Sequence, residues 1–147
     1  MEDASLSTII ALGAAVIFIT VVIQAVMVNI AYAWILPLAD RGGHRFRRGV
    51  QTIVISAVTL WMLVALSIAV AIWASLLMRI DAFADVDTAV YYTAATYTTL
   101  GYGDVLLPEE IRNLSGLIAV NGFIMFGLST AFLIDFVNRF GARYEES

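Results

Sequence analysis

The sequence predicts an all-α membrane protein of three membrane-spanning helices and one short helix that enters the bilayer and turns back. Three observations carry that prediction. Hydrophobic residues make up 61% of the 147-residue chain and charged residues 14%, with a mean hydropathy of +0.90, outside the proportions of a soluble domain. Three runs carry no charged side chain: Leu6 to Leu38, Val50 to Met78 and Asn113 to Ile134, of 33, 29 and 22 residues. Each reaches the roughly 20 residues that a bilayer crossing needs. The interval from Arg79 to Arg112 is too polar to be a further span and too short to be a domain.

Residues 1–39 are read as a first spanning helix. The opening MEDAS is acidic rather than basic, and the apolar run behind it is far longer than a signal-peptide core, so a retained helix is expected. At about 1.5 Å per residue the run exceeds the hydrocarbon thickness, so it must tilt, kink or project, and Pro37 is placed to end or bend it. Gln24 and Asn29 are its notable polar groups and are expected to bond across a helix interface.

Residues 40–49, DRGGHRFRRG, hold four of the eight arginines, and Arg139 and Arg143 follow the third span. The positive-inside rule puts both regions in the cytosol and leaves the amino terminus and the Arg79 to Arg112 interval outside. The external parts then carry a net charge of minus six and the internal parts plus two. The single histidine, His44, reads as a solvated loop residue. A second spanning helix is expected over 50–79.

In the interval, Asp85 or Asp87 can cap a short helix over 86–98, whose "TAVYYTAATYTT" is too short to span. It can dip in and return only if the non-helical return is buried in protein or lines a water-filled path. The return, over 99–104, is Thr-Leu-Gly-Tyr-Gly-Asp. Glycines at alternate positions accept positive φ, so successive carbonyls can turn toward one axis instead of alternating as in a strand. Such a column of oxygens, joined by the Thr99 hydroxyl, suits a hard cation. One chain supplies one side of it, so a closed ring requires several copies around a symmetry axis.

The third spanning helix is expected over 109–139, with residues 141–147 as a short cytoplasmic tail. Phe123, Phe126, Thr130, Ile134 and Asn138 fall on one stripe at helical periodicity and are the candidate lining of a cavity and inner gate. Asn121 lies on the opposite side and is expected to bond a neighbouring helix. Asp135, near the cytosolic end, is expected to reach toward water.

Thr99 to Asp104, placed between two spans, after a short helix and on the outer face, resembles the selectivity-filter signature of tetrameric potassium channels. Leu100 stands where that family more often has Val or Ile. The resemblance covers roughly Val50 to Arg139, in the order outer helix, pore helix, filter and inner helix, and leaves out the first span. It implies a homotetramer whose permeant ion, potassium, is held by the carbonyls of Thr99, Leu100, Gly101 and Tyr102 and by the Thr99 hydroxyl, with Gly103 near the outer mouth. Thr98, Asp104, Tyr91 and Tyr92 would support the filter, and Tyr102 would pack against the pore-helix aromatics. Many relatives have tryptophans at the positions of Tyr91 and Tyr92, so a Tyr92 to Asp104 hydrogen bond is expected for this variant. Ala95 stands where some bacterial relatives carry a glutamate behind the filter. Gly122 takes the place of the inner-helix hinge, although small residues in membrane helices also serve close packing.

The first span sits where a voltage-sensing helix would, yet it has no arginine or lysine between Leu6 and Leu38, so charge movement through the field is not expected. The implied function is passive potassium conduction at a cell membrane, with the chain itself, lipids and potassium as partners, no nucleic acid and no cofactor. A weakly selective cation channel and a non-conducting accessory subunit are the alternatives. With no cysteine, no metal-ligand cluster, no Ser/His/Asp set and no phosphate loop, the sequence gives an enzyme no support.

Overall fold

A computed structural model of the chain describes residues 6–35 and 47–145. Pro37, His44 and most of the basic loop 40–49 lie outside the described residues. The described residues form helices joined by short connections, with no strand among them. Helix α1 spans Leu6–Ile30 and continues into a π-helical turn, Ala31–Ile35; α2 spans Arg47–Arg79, α3 Val86–Tyr97 and α4 Asn113–Glu145. Three of these helices contain segments long and apolar enough to cross a membrane, Ser7–Trp34, Thr52–Arg79 and Asn113–Arg139.

The boundaries differ from the sequence expectation at three points. Helix α2 starts at Arg47, so the last residues of the predicted basic loop are its first turn. The inner helix expected over 109–139 starts at Asn113, after a 3-10 turn at Glu109–Ile111 that follows Pro108. Proline has no N–H to donate and favours such an entry over a helix interior. At the other end α4 runs on to Glu145, so the tail 141–147 is helical as far as that residue.

The short helix α3 begins where its cap dictates. Asp85 is extended (φ −130°, ψ 152°), and its side-chain oxygen accepts from the Thr88 N–H at 2.8 Å. That bond satisfies one of the orphan donors of the first turn, with Asp87 adding negative charge at the positive end of the helix dipole. The Thr88 amide holds the Asp85 carboxyl below its ordinary pKa.

Two clusters of buried side chains join the helices. The first, beside α3, gathers Ile9 and Val16 of α1, Trp73 and Leu77 of α2, Tyr92 and Tyr97 of α3, and Leu114, Ile118 and Met125 of α4. The second, at the opposite end of the helices, gathers Ala31, Val58, Met62, Phe132 and Phe136. In lipid there is little hydrophobic gain from helix association, so close packing and interhelical hydrogen bonds must supply the cohesion. Helix α1 has both. The Thr20 hydroxyl and the Asn121 amide are bonded at 2.9 Å, and Gln24 Nε2 donates to Ser129 Oγ at 2.8 Å, all four residues being buried. Trp61 Nε1 of α2 donates to the Met27 carbonyl at 2.9 Å. Asn121 and Gln24 thus make the interhelical bonds their positions predict. Asn29 does not: it is exposed and its amide returns to the Ala25 carbonyl of its own helix at 2.9 Å.

Candidate functional site

The site is the return between α3 and α4, and its local geometry is set by how α3 ends. Thr98 caps the helix, its N–H bonding the Ala94 carbonyl at 3.0 Å and its hydroxyl the same oxygen at 2.8 Å. Thr99 then takes a left-handed conformation, φ 60°. Its N–H bonds the Thr96 carbonyl and the Leu100 N–H the Ala95 carbonyl, each at 2.9 Å. This pair of bonds around a left-handed residue is the Schellman ending of a helix, usually built on glycine. A β-branched residue there is a steric outlier held in place by its surroundings. The Gly101 N–H reaches the Ala95 carbonyl as well, at 3.0 Å.

Positive φ recurs at every second residue: Thr99 at 60°, Gly101 at 53° and Gly103 at 76°. Alternation of left-handed residues is the backbone condition under which consecutive carbonyls need not point to opposite sides. The amides of Thr99, Leu100 and Gly101 are already spent on the end of α3, which leaves the carbonyls of this stretch for another ligand. Among the described residues no group of three or more His, Cys, Asp or Glu converges, so the ligands offered here are backbone and hydroxyl oxygens. A Cβ built on Gly101 or Gly103 meets no atom of the chain within 4 Å; what excludes a side chain there is the left-handed φ.

Around the return, two tyrosines have different tasks. The Tyr91 hydroxyl donates to Asp104 Oδ2 at 2.7 Å, tying α3 to the far end of the return. Tyr92, expected to make that bond, does not. It faces inward, 5% exposed against 43% for Tyr91, packs its ring at a tilt 5.1 Å from that of Phe83 and pairs its hydroxyl with Ser115 Oγ at 2.6 Å. Neighbouring helix positions point about 100° apart, so both cannot reach one carboxylate. The stripe of buried positions Ala89, Tyr92, Thr93 and Tyr97 shows which tyrosine turns inward. The Asp104 bond pushes the Tyr91 phenol above its ordinary pKa.

Tyr97 has a structural part that the sequence did not single out. Its side chain is buried, its ring lies 6.4 Å from that of Phe126, and its carbonyl lies directly against Gly122. A Cβ at Gly122 would collide with that carbonyl, so the glycine is what lets α4 pass across the end of α3. Helix α4 continues unbroken through this position.

Residues Thr98 to Asp104 are all exposed in the single chain, Tyr102 by 68%. Phe123, Phe126, Thr130, Ile134 and Asn138 are exposed too and fall along one face of α4. Asp135, expected to reach toward water, is partly exposed but also engaged: it accepts from the Tyr32 hydroxyl and from Arg139 Nε, the latter at 2.6 Å.

A family model described as ion channel matches residues 53–139, which is more than half of the chain. The match begins within α2 and ends near the close of α4, and it leaves α1 out. No curated protein and no solved structure matches.

Proposed function

The chain belongs to this ion-channel family, and from that premise we propose that it forms a homotetrameric pore conducting potassium passively and selectively across a cell membrane. The observation that carries the reading is the alternation of left-handed residues at Thr99, Gly101 and Gly103. Four copies around an axis would present the carbonyls of Thr99, Leu100, Gly101 and Tyr102, with the Thr99 hydroxyl, as rings of oxygen that replace the water of a dehydrated potassium ion. Gly103 would lie at the outer mouth.

Exposure in the single chain supports assembly around that axis. A polar backbone at membrane depth is tolerated only where protein or water covers it, and Thr98 to Asp104 is uncovered in one copy. Tyr102 would be covered by an adjacent subunit, bracing the ring from behind. The stripe from Phe123 to Asn138 would line the cavity and inner gate, with Gly122 at the level where α4 crosses the end of α3. The carboxyl end of α3 would direct the negative pole of its dipole toward the cavity, favouring a cation.

Charge sets the orientation in this reading. The arginines near the α1 to α2 connection and after the third span would lie in the cytosol, with the amino terminus and the return outside. Asp81, Asp85, Asp87, Asp104, Glu109 and Glu110, repeated in each subunit, would concentrate cations at the outer mouth. The test is purification of the chain alone. A tetramer with barium-sensitive potassium flux is the expected result; a monomer without flux would favour an accessory subunit instead.

A further inference from the structure

Helix α1 lies outside the part of the chain that the ion-channel family model matches, yet it is bonded to α4 at three levels. Thr20 meets Asn121, Gln24 meets Ser129, and Tyr32 meets Asp135. On α4, Asn121, Met125, Ser129, Phe132 and Phe136 are buried and recur every three or four residues, forming one face. Phe123, Phe126, Thr130, Ile134 and Asn138 form the opposite one, since at about 100° per residue the two sets are centred roughly half a turn apart. If the second face borders the conduction path, α4 stands between that path and α1.

The innermost of the three levels is built differently from the other two. The π-helical turn Ala31–Ile35 widens the end of α1 where Tyr32 sits. Single π turns within helices are frequently found at functional positions. The Tyr32 ring packs edge-on against Phe132 at 5.0 Å and lies 6.1 Å from Phe136. Its hydroxyl donates to Asp135 Oδ2, and Arg139 Nε donates to the same oxygen at 2.6 Å. The Arg139 guanidinium carbon lies 5.7 Å from the centre of the Tyr32 ring, within cation–π range. Asp135 directly follows Ile134, and Arg139 directly follows Asn138. The groups that hold α1 are therefore next in sequence to the groups that would form the gate.

We propose that Tyr32, Asp135 and Arg139 form a latch through which α1 restrains the cytoplasmic half of α4 and holds the conduction path open. The inference rests on the potassium-pore reading given above. Narrowing the path requires the stripe of Ile134 and Asn138 to move toward the axis, which draws α4 away from α1 and opposes the latch. The upper levels, Asn121 with Thr20 and Ser129 with Gln24, are buried and fix α4 near the filter. The latch is less enclosed by the chain: the side chains of Arg139 and Asp135 are 62% and 45% exposed. An ion pair so exposed contributes little by itself and breaks readily, as a reversible restraint must. Tyr32, Asp135 and Arg139 act here as positioning residues, touching α4 and α1 rather than the ion.

Single-channel recording of the full chain in planar bilayers tests the latch. Tyr32→Phe keeps the ring and removes only the hydroxyl; it is expected to lower the open probability, with the ratio of open to closed time falling about fivefold or more, the factor that one net hydrogen bond carries. Asp135→Ala is expected to do the same, and Tyr32→Phe is expected to add nothing in the Asp135→Ala background, because the two residues act as one unit. The potassium-to-sodium permeability ratio and the tetramer are expected to be unchanged in each variant. An open probability that is unaltered or raised in Tyr32→Phe would overturn the latch while a selective current leaves the pore reading intact; so would effects of the two substitutions that multiply. If Asp135→Ala does not assemble, Tyr32→Phe alone decides. A native chain with no selective current would overturn the pore reading and the latch with it.

Discussion

The Tyr91 hydroxyl donates to the Asp104 carboxylate at 2.7 Å, so the far end of the return is tied to α3 by a residue whose immediate neighbour, Tyr92, is bonded to Ser115 of α4. One tyrosine fastens the return and the next fastens α3 to α4, so in the proposed pore they would act on the filter and on the helix packing respectively. Tyr91→Phe is therefore expected to speed inactivation and lower occupancy of the conducting filter, while Tyr92→Phe leaves both near the native level and lowers the thermal stability of the tetramer. Macroscopic current decay after activation, compared between the two variants, checks the division of labour. Equal decay in both would contradict it.

The same bond has a pH signature. Because Asp104 raises the Tyr91 pKa from its ordinary 10.0, the neutral phenol is favoured in the folded protein. Its contribution is complete below pH 10 and is lost only as pH rises through the raised value. Filter stability is expected to be flat from neutral pH to the ordinary phenol range and to fall above it, and the fall should be absent in Tyr91→Phe. Inactivation rates measured across external alkaline pH provide the comparison.

At the start of α3 the sign is reversed. The Thr88 amide lowers the Asp85 pKa from 3.8, so the charged cap contributes above that value and is lost as pH falls through the lowered one. Asp85→Ala is expected to lower the protein's melting temperature at neutral pH, and the gap between the two proteins should narrow in strong acid, where the charge is lost and a neutral capping oxygen remains. Asp85→Asn, which keeps a capping oxygen, should recover most of the loss.

Gly122 is expected to tolerate no side chain. Its Cβ would strike the Tyr97 carbonyl, which is backbone at the end of α3 and cannot rotate away. Overpacking of this kind typically costs about 1–3 kcal/mol, so Gly122→Ala is expected to weaken the tetramer by an amount near the top of that range and to disturb the filter. Denaturant titration of the purified tetramer measures it. Gln24→Leu is expected to cost less, about 1 kcal/mol, the usual worth of an interhelical hydrogen bond in a membrane, by leaving Ser129 without its partner.

The spans were legible because an uncharged apolar run of bilayer length would be costly to keep in water and is satisfied in lipid. The return was legible because Gly101 and Gly103 alternate with Leu100 and Tyr102. What the sequence hid follows from tertiary geometry. Thr99 is β-branched, so local preference argues against the left-handed φ that the end of α3 imposes on it. Tyr91 and Tyr92 are chemically identical, and only the buried stripe through Ala89, Thr93 and Tyr97 decides which one reaches Asp104. Tyr97 reads as one aromatic among many, although its carbonyl sets the requirement for glycine at 122. Tyr32 and Asp135 are separated by 103 positions, and nothing local to either announces their contact.

The central claim is that the backbone from Thr99 to Gly103 selects potassium. Its most direct measurement is the reversal potential of the purified chain reconstituted between potassium on one side and sodium on the other, for the native sequence and for Gly101→Ala. The account predicts a native reversal potential near the potassium equilibrium value, and loss of selective current in Gly101→Ala, because alanine disfavours the φ of 53° at that position. A native permeability ratio near one, or selective conduction preserved in Gly101→Ala, would contradict it.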